Sequence, residues 1–472
     1  MKRTISLILL FAMLALASCG SGSAPDETTA PPDTTPPETT DPTVPAETAD
    51  YAGREFRVAS TGGWKYMFAD ELNGNTINDA LYERDRETEA ALGTKIVYRF
   101  VGSDIKELLP AVQSSIMSGG DDYDMIIAHN NWELTTYCAE NLVLDWRKLP
   151  HVDFSKPYWN GSVIDTLSVL GASPYAVSDI CASYTVFMLW NKRLAEDTGA
   201  GSLYDSVYDG SWTWDKLAEI SADITSDING DGKFDENDRY GVAVSISGSS
   251  WFLRVIPSSC DQWIYKNTPD GIELSVNNEK TQDILEKINK LFRGGGGFLA
   301  NGVDNADPAA FNRGNYLTWL VSAENAAAAY NNLDFDYGVV PLPKYDEKQE
   351  SYYSIGSSCI LMAPSTADPD FTGMVSEWMS YYGWKLVRPQ YYGSLLSKKF
   401  AQDSESVDML DIIFSNTVFD PGMNFKSQNF YSYFDGMIIK DDTNFASFYR
   451  SALSSENEYI KALNDSFRKF SN

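Results

Sequence analysis

The chain has 472 residues, and its 66 Asp and Glu outnumber 37 Lys and Arg, giving a formal charge of −29 at pH 7. With no basic stripe to neutralise phosphates, that balance excludes a generic binder of nucleic acid or other polyanions. Only two histidines, His129 and His151, are present, so a Ser-His-Asp triad or a histidine-rich zinc site would have to be built around one of them.

Lys2 and Arg3 precede a thirteen-residue apolar run from Ile5 to Ala17, too short to span a bilayer, and small residues then lead to Cys19. The stretch "LASC" (16–19) resembles the lipobox of bacterial lipoproteins. That resemblance implies cleavage before Cys19, lipid on its sulfur, and a body anchored at the outer face of the cytoplasmic membrane. Residues 20–50 hold seven prolines and seven acidic side chains, with no aromatic or basic residue. Such a segment cannot bury enough apolar surface to fold, and its prolines and like charges extend it as a tether.

From Tyr51 the composition becomes globular over roughly 420 residues, more than one ordinary core takes, so two lobes are expected. "GREFRVAS" reads as a strand, "NDALYERDRETEAALG" as a helix ending at Gly93, and "TKIVYRF" as a second strand. "DIKELLPAVQSSIMSGG" puts Ile105, Leu108, Leu109, Val112 and Ile116 on one helical face, with a kink expected at Pro110. "YDMIIAHNN" then reads as a strand buried between helical layers. Strand, helix, strand, helix, strand is an α/β lobe, whose ligands sit at the carboxyl ends of the strands. Those ends carry "STGGW" and "HNNW".

Further along, "WTWDKLAEISADIT" reads as a helix capped by Thr213, with Trp214, Leu217, Ile220 or Ser221, and Ile224 on one face. The loop "DINGDGKFDEND" follows, and then "RYGVAVSIS", a strand. Asp227, Asn229 and Asp231 stand at loop positions one, three and five. Gly232 falls at the turn, Lys233 offers its carbonyl at seven, and Asp235 and Asp238 stand at nine and twelve. This is the oxygen-ligand spacing of a Ca²⁺ loop, with a shorter Asp in place of the final Glu. A single copy between helix and strand reads as a structural staple, because no second helix exists to swing open. Cys138, Cys181, Cys260 and Cys359 are widely spaced and form no CxxC or Cys/His cluster, so no metal or redox motif is expected. The 27 Tyr, 23 Phe and 12 Trp supply core and also faces suited to stacking on sugar rings.

Several segments in order resemble the bacterial extracellular solute-binding proteins of ABC transporters, in particular the large carbohydrate-binding group that includes maltose-binding protein. They are "YDMIIAHNNWELTTYCAENLVLDW", "PYAVSDICASYTVFMLWNKRLAEDTG", "DGSWTWDKLAEI", "AAFNRGNYLTWLVSAENA" and "DFDYGVVPLPKYDEKQESYYS". The resemblance runs through nearly all of residues 51–472. It implies a two-lobed α/β, periplasmic-binding-protein-like (type II) fold with a ligand cleft at the hinge. One lobe would comprise 51–176 and 365–420, the other 180–355 and 424–472.

By the same resemblance, Trp64, Asn130, Asn131, Trp132 and Asp179 would contact ligand from the first lobe and crossover, and Trp251, Glu324 and Tyr431, with Tyr433 nearby, from the second. Asparagines in place of a charged pair suit neutral hydroxyls. Cys181 and Cys359 would lie in neighbouring hinge segments, where free thiols are favoured over a Cys181–Cys359 disulfide because the other two cysteines have no evident mutual partner. The implied protein is a monomer without enzymatic activity that delivers a sugar or oligosaccharide to permease subunits. A secreted glycoside hydrolase, whose two carboxylates leave no sequence trace, and a wall-associated adhesion protein are the alternatives.

Overall fold

The apolar runs nearest the start of the folded body become a sheet because helices cover both of its faces. The computed structural model describes residues 43–471 without 63–66, 131–132, 182–183, 248–249, 303–307, 324, 327–332, 358 and 396–403. Its strands are β1 (Glu55–Ser60), β2 (Lys95–Phe100), β3 (Met125–His129), β4 (Tyr184–Asn191), β5 (Tyr240–Ser245), β6 (Tyr265–Thr268), β7 (Gly271–Leu274), β8 (Gly297–Ala300), β9 (Tyr316–Ser322), β10 (Tyr337–Val340), β11 (Ser354–Ser357), β12 (Cys359–Met362) and β13 (Thr417–Val418).

The first sheet has the order β12-β3-β1-β2, parallel except for β12. In β3, Ile126 and Ala128 join one apolar core while Met125 and Ile127 join another, as the two-residue period of a strand buried on both faces requires. The helix Thr76–Leu92 starts where Asn75 accepts from the amides of Ile77 and Asn78, and stops at Gly93 with φ 56°, the left-handed cap that glycine adopts without strain. Pro110 does not kink a longer helix. Asp104 and Glu107 form a capping box on a short 3₁₀ turn, and the helix Leu108–Met117 begins after it. Pro110 thus sits in the first turn, where a missing N–H costs nothing.

The second sheet runs β13-β11-β4-β9-β5-β8, with β10 also on β4. β5 lies parallel to β8 and β9, and all six of its residues are buried. The helix before it, Trp214–Ile224, is capped by Thr213, which accepts from the Lys216 amide, and it buries Trp214, Leu217, Ile220, Ser221 and Ile224.

Two antiparallel crossovers join the sheets. β11 pairs with β4 in the second sheet and β12 with β3 in the first, with one residue between them. On the other crossover Ala176 bridges Leu361 of β12, and Tyr184 pairs with Ser357 of β11. A third passage follows the helix Pro369–Tyr382, the π-helical turn Gly383–Val387 and the helix Arg388–Leu395. Here the structure departs from the lobe boundaries read from the sequence. The helix Ser404–Ser415 packs on β10 and β4, and β13 pairs with β11, so 404–418 belongs with the second sheet. All four cysteines carry buried thiols, and the Cys359 thiol points at Met67 Sδ, 3.1 Å away. Among the described residues no helix is long and apolar enough to cross a membrane.

Candidate functional site

A cavity of about 230 Å³ lies where the two sheets meet. Its walls include Tyr158, Trp159 and Asn160 before the helix Gly161–Leu167, Ser178 and Asp179 of the crossover, Arg388, and Thr417 of β13. Asp179 Oδ2 stands 3.4 Å from Arg388 Nη1. Burial raises the Asp179 carboxyl to about 6 against the opposing pull of Arg388. Its side chain still keeps 25% of its surface exposed, so water moderates that shift.

The carboxyl ends of the strands carry the other groups. At the end of β3, Asn130 is fully buried, and its Nδ2 donates to Asn424 Oδ1 at 2.8 Å. This joins β3 to the short helix Pro421–Asn424. Beside it, burial lowers His129 to about 4, so it is neutral at pH 7. Beyond β5, the short helix Trp251–Arg254 presents Trp251, half-buried.

Arg254 reaches from that helix to Asp435, with Nη2–Oδ2 at 2.8 Å and Nε–Oδ1 at 3.4 Å, and Ser250 Oγ donates to the same carboxylate. The guanidinium lies 4.4 Å from the Tyr431 ring centroid. Burial opposes the Arg254 charge, but the bond to Asp435, that carboxylate's charge and Tyr431 together more than offset it, leaving its pKa above the ordinary arginine value. A flat cation held by a carboxylate and stacked on an aromatic face offers fixed donors to neutral hydroxyls.

The structure therefore sets Tyr431 against Arg254, with Trp251 three residues before Arg254 on the same short helix. It puts Asp179 at the junction of the sheets and locks the Asn130 amide to Asn424. Trp64, Asn131, Trp132, Glu324 and Cys19 lie outside the described residues. Tyr433 belongs to the core, 4% exposed and stacked on Phe448. Arg254 and Asp435 were missed. The local signal was one-sided: Arg254 stands three residues after Trp251 on one short helix, whereas Tyr431 lies before the helix Tyr433–Lys440 that carries Asp435.

The acidic loop lies apart, between the helix Trp214–Ile224 and β5, and its base is closed by the Ser226–Arg239 pair. Asp227 accepts from the amides of Gly230 and Gly232, Asn229 from Asp231, and Asp231 from Lys233. Asp235 accepts from Asn237, and buried Asp238 from Ile228 and Asp235. Among the described residues no three Asp, Glu, His or Cys side chains form a group able to hold a metal as they stand. The donor set itself has hard-cation chemistry, with oxygens at alternate positions of a coiled loop and Gly232 at φ 76° in its turn.

The family described as "Bacterial extracellular solute-binding protein" matches residues 86–382. The chain belongs to that family. No curated protein matches it in sequence. Among solved structures, an ABC transporter solute-binding protein from Thermotoga lettingae TMO, bound with α-D-tagatose, is similar at 13% identity and a TM-score of 0.54. The similarity covers 87% of this chain and all of that one. Two sheets joined by paired crossovers, with polar and aromatic groups at the strand ends, are the architecture of a two-lobed binding protein, and the chain captures a solute.

Proposed function

We propose that this solute-binding protein takes a sugar or small oligosaccharide between its lobes and delivers it to the permease subunits of an ABC importer. The observation that carries the reading is the Trp251, Arg254, Asp435 and Tyr431 constellation at the carboxyl end of β5. It pairs the Tyr431 face with one oriented cation and its carboxylate, with Trp251 on the same short helix as Arg254, a set that suits a neutral polyhydroxyl ring better than a charged or apolar solute. The tagatose bound by the Thermotoga protein fits the same ligand class. The body works as a monomer anchored through lipid on Cys19, with a tether shorter than the one read from the sequence. Residues 43–50 pack on the body, where Val44 and Ala49 lie against the core and the Glu47 carbonyl accepts from Trp378 Nε1 at 2.9 Å, which leaves 20–42 for the tether. Asp227, Asn229, Asp231, the Lys233 carbonyl, Asp235 and Asp238 would hold Ca²⁺, which would supply only rigidity to the loop.

Thermal shift against mono- and oligosaccharides, D-tagatose first, tests the reading. A true ligand raises the melting temperature in proportion to the logarithm of its concentration. No shift with any sugar, alongside a shift with amino acids or peptides, would move the ligand to another class. Release of reducing sugar from bound oligosaccharide would instead favour a hydrolase.

A further inference from the structure

The two crossovers are unequal. Between the Ala176–Leu361 bridge and the Tyr184–Ser357 pair, one strand takes eight residue steps and the other four. The longer crossover therefore bulges, and its backbone groups need partners beyond its neighbour strand. The amide of Asp179 donates to the Tyr158 carbonyl at 3.0 Å, and that of Ile180 to Ser178 Oγ at 3.2 Å.

The Ile180 carbonyl finds an unusual partner. It accepts from Nη1 of Arg84, a fully buried arginine on the helix Thr76–Leu92. The same guanidinium donates to the Met67 carbonyl at 3.0 Å, to Tyr98 Oη at 2.7 Å and to Asp85 Oδ1 at 2.8 Å. Tyr98 closes the network by donating to Asp85 Oδ2 at 2.9 Å. A buried cation is costly unless every donor is used. Here the planar fork serves two carbonyls from separate segments together with Tyr98 and Asp85, four acceptors that the three donors of a lysine could not all reach.

Against the same bulge lies Gly383, the first residue of the π-helical turn. A Cβ there would stand 2.1 Å from the Asp179 carbonyl oxygen and 3.0 Å from the Ile180 nitrogen. The turn leads directly into Arg388, the partner of Asp179, and its extra residue sets the angular phase at which Arg388 emerges.

We infer that Arg84 and Gly383 are positioning residues that together hold the hinge bulge, placing Asp179 against Arg388 and fixing the resting separation of the lobes. Neither has to touch ligand. The inference rests on the solute-capture reading, since lobe separation matters only to a protein that closes, but it is tested without any ligand.

The test uses the full chain with spin labels at two exposed positions, one per lobe, introduced by Met117→Cys and Tyr208→Cys (80% and 51% exposed). The four native thiols described are buried and stay unlabelled, and Cys19→Ser removes the fifth. Gly383→Ala forces the crossover backbone to move by about 1 Å, which a hinge amplifies at the lobe tips. The expected result is a shift of a few ångströms in mean label separation by pulsed dipolar spectroscopy, with melting still cooperative. Arg84→Lys keeps a charge beside Asp85 and loses the fork, so it should broaden the distribution, and it decides the matter should Gly383→Ala fail to fold. A wild-type distance distribution in a folded variant overturns the inference. D-tagatose added to the labelled wild type probes solute capture separately, so failure there leaves the clamp result standing.

Discussion

His129 and His151 carry opposite pH dependences because their surroundings differ in kind. Burial alone lowers His129 to about 4, below the ordinary value of 6.5. Its stabilising effect is therefore present above pH 6.5 and lost as pH falls toward 4, where the unfolded chain binds the proton that the folded chain resists. The melting temperature of His129→Asn should accordingly approach or pass that of wild type between pH 6.5 and 4, a relative gain on the order of 2 kcal/mol. A parallel pair of melting curves would remove His129 as the group responsible. His151 sits between Asp370, 2.8 Å from Nε2, and Glu47, 2.6 Å from Nδ1. Burial works against its charge, but the two carboxylates more than offset it and hold its pKa above the usual value. Its contribution is full below pH 6.5 and disappears as pH rises through the raised pKa. His151→Ala should thus destabilise more at pH 6 than at pH 9 in denaturant melts, by a modest amount because both carboxylates are more than half exposed.

The loop from Asp227 to Asp238 and the helix Trp214–Ile224 before it were legible because their signals are local. Thr213 precedes an apolar face of helical period, and Thr213→Ala should cost about 1 kcal/mol in urea melts through loss of its bond from the Lys216 amide. A loop closed by a final Asp should bind Ca²⁺ in the weak range, about 10⁻⁴ to 10⁻³ M. Then 10 mM Ca²⁺ should stabilise by about 1.4 kcal/mol or somewhat more, and Asp231→Ala should abolish that increment while leaving solute affinity unchanged. Loss of solute binding in folded Asp231→Ala would instead make the loop part of the binding site. The strands of the first sheet and the Gly93 stop were legible for the same reason. Contacts between distant segments were not. Asn130 meets Asn424 across 294 positions and Arg84 meets Ile180 across 96, and no local period or cap announces such pairs. Pro110 was misjudged because a proline after a capping box marks the start of a helix and not its bend. The helix Ser404–Ser415 went to the wrong sheet because its partners, β10 and β4, lie far back in the sequence.

Two lobes joined by two extended crossovers and one helical passage can bend there without breaking either sheet, because the strand ladders on each side pair only within their own sheet. A ligand shifts such an equilibrium only by contacts that differ between open and closed forms. On the reading proposed above, Arg254 provides such contacts from the second lobe. It is held flat by Asp435 at 2.8 Å and stacked on Tyr431, so it pays little entropy on engaging a hydroxyl. Small-angle scattering should show a smaller radius of gyration when a sugar that raises the melting temperature is added at saturation. Arg254→Met removes the oriented donors and should weaken that sugar's Kd by about tenfold to a hundredfold, the range for losing a hydrogen bond to a charged group. Because the same change strands a buried carboxylate, Arg254→Met combined with Asp435→Asn serves as the control. If the pair recovers stability but not affinity, the donor is what the ligand uses. If affinity returns with stability, Arg254 only braces the site, and the contacts that close the lobes lie elsewhere along the strand ends.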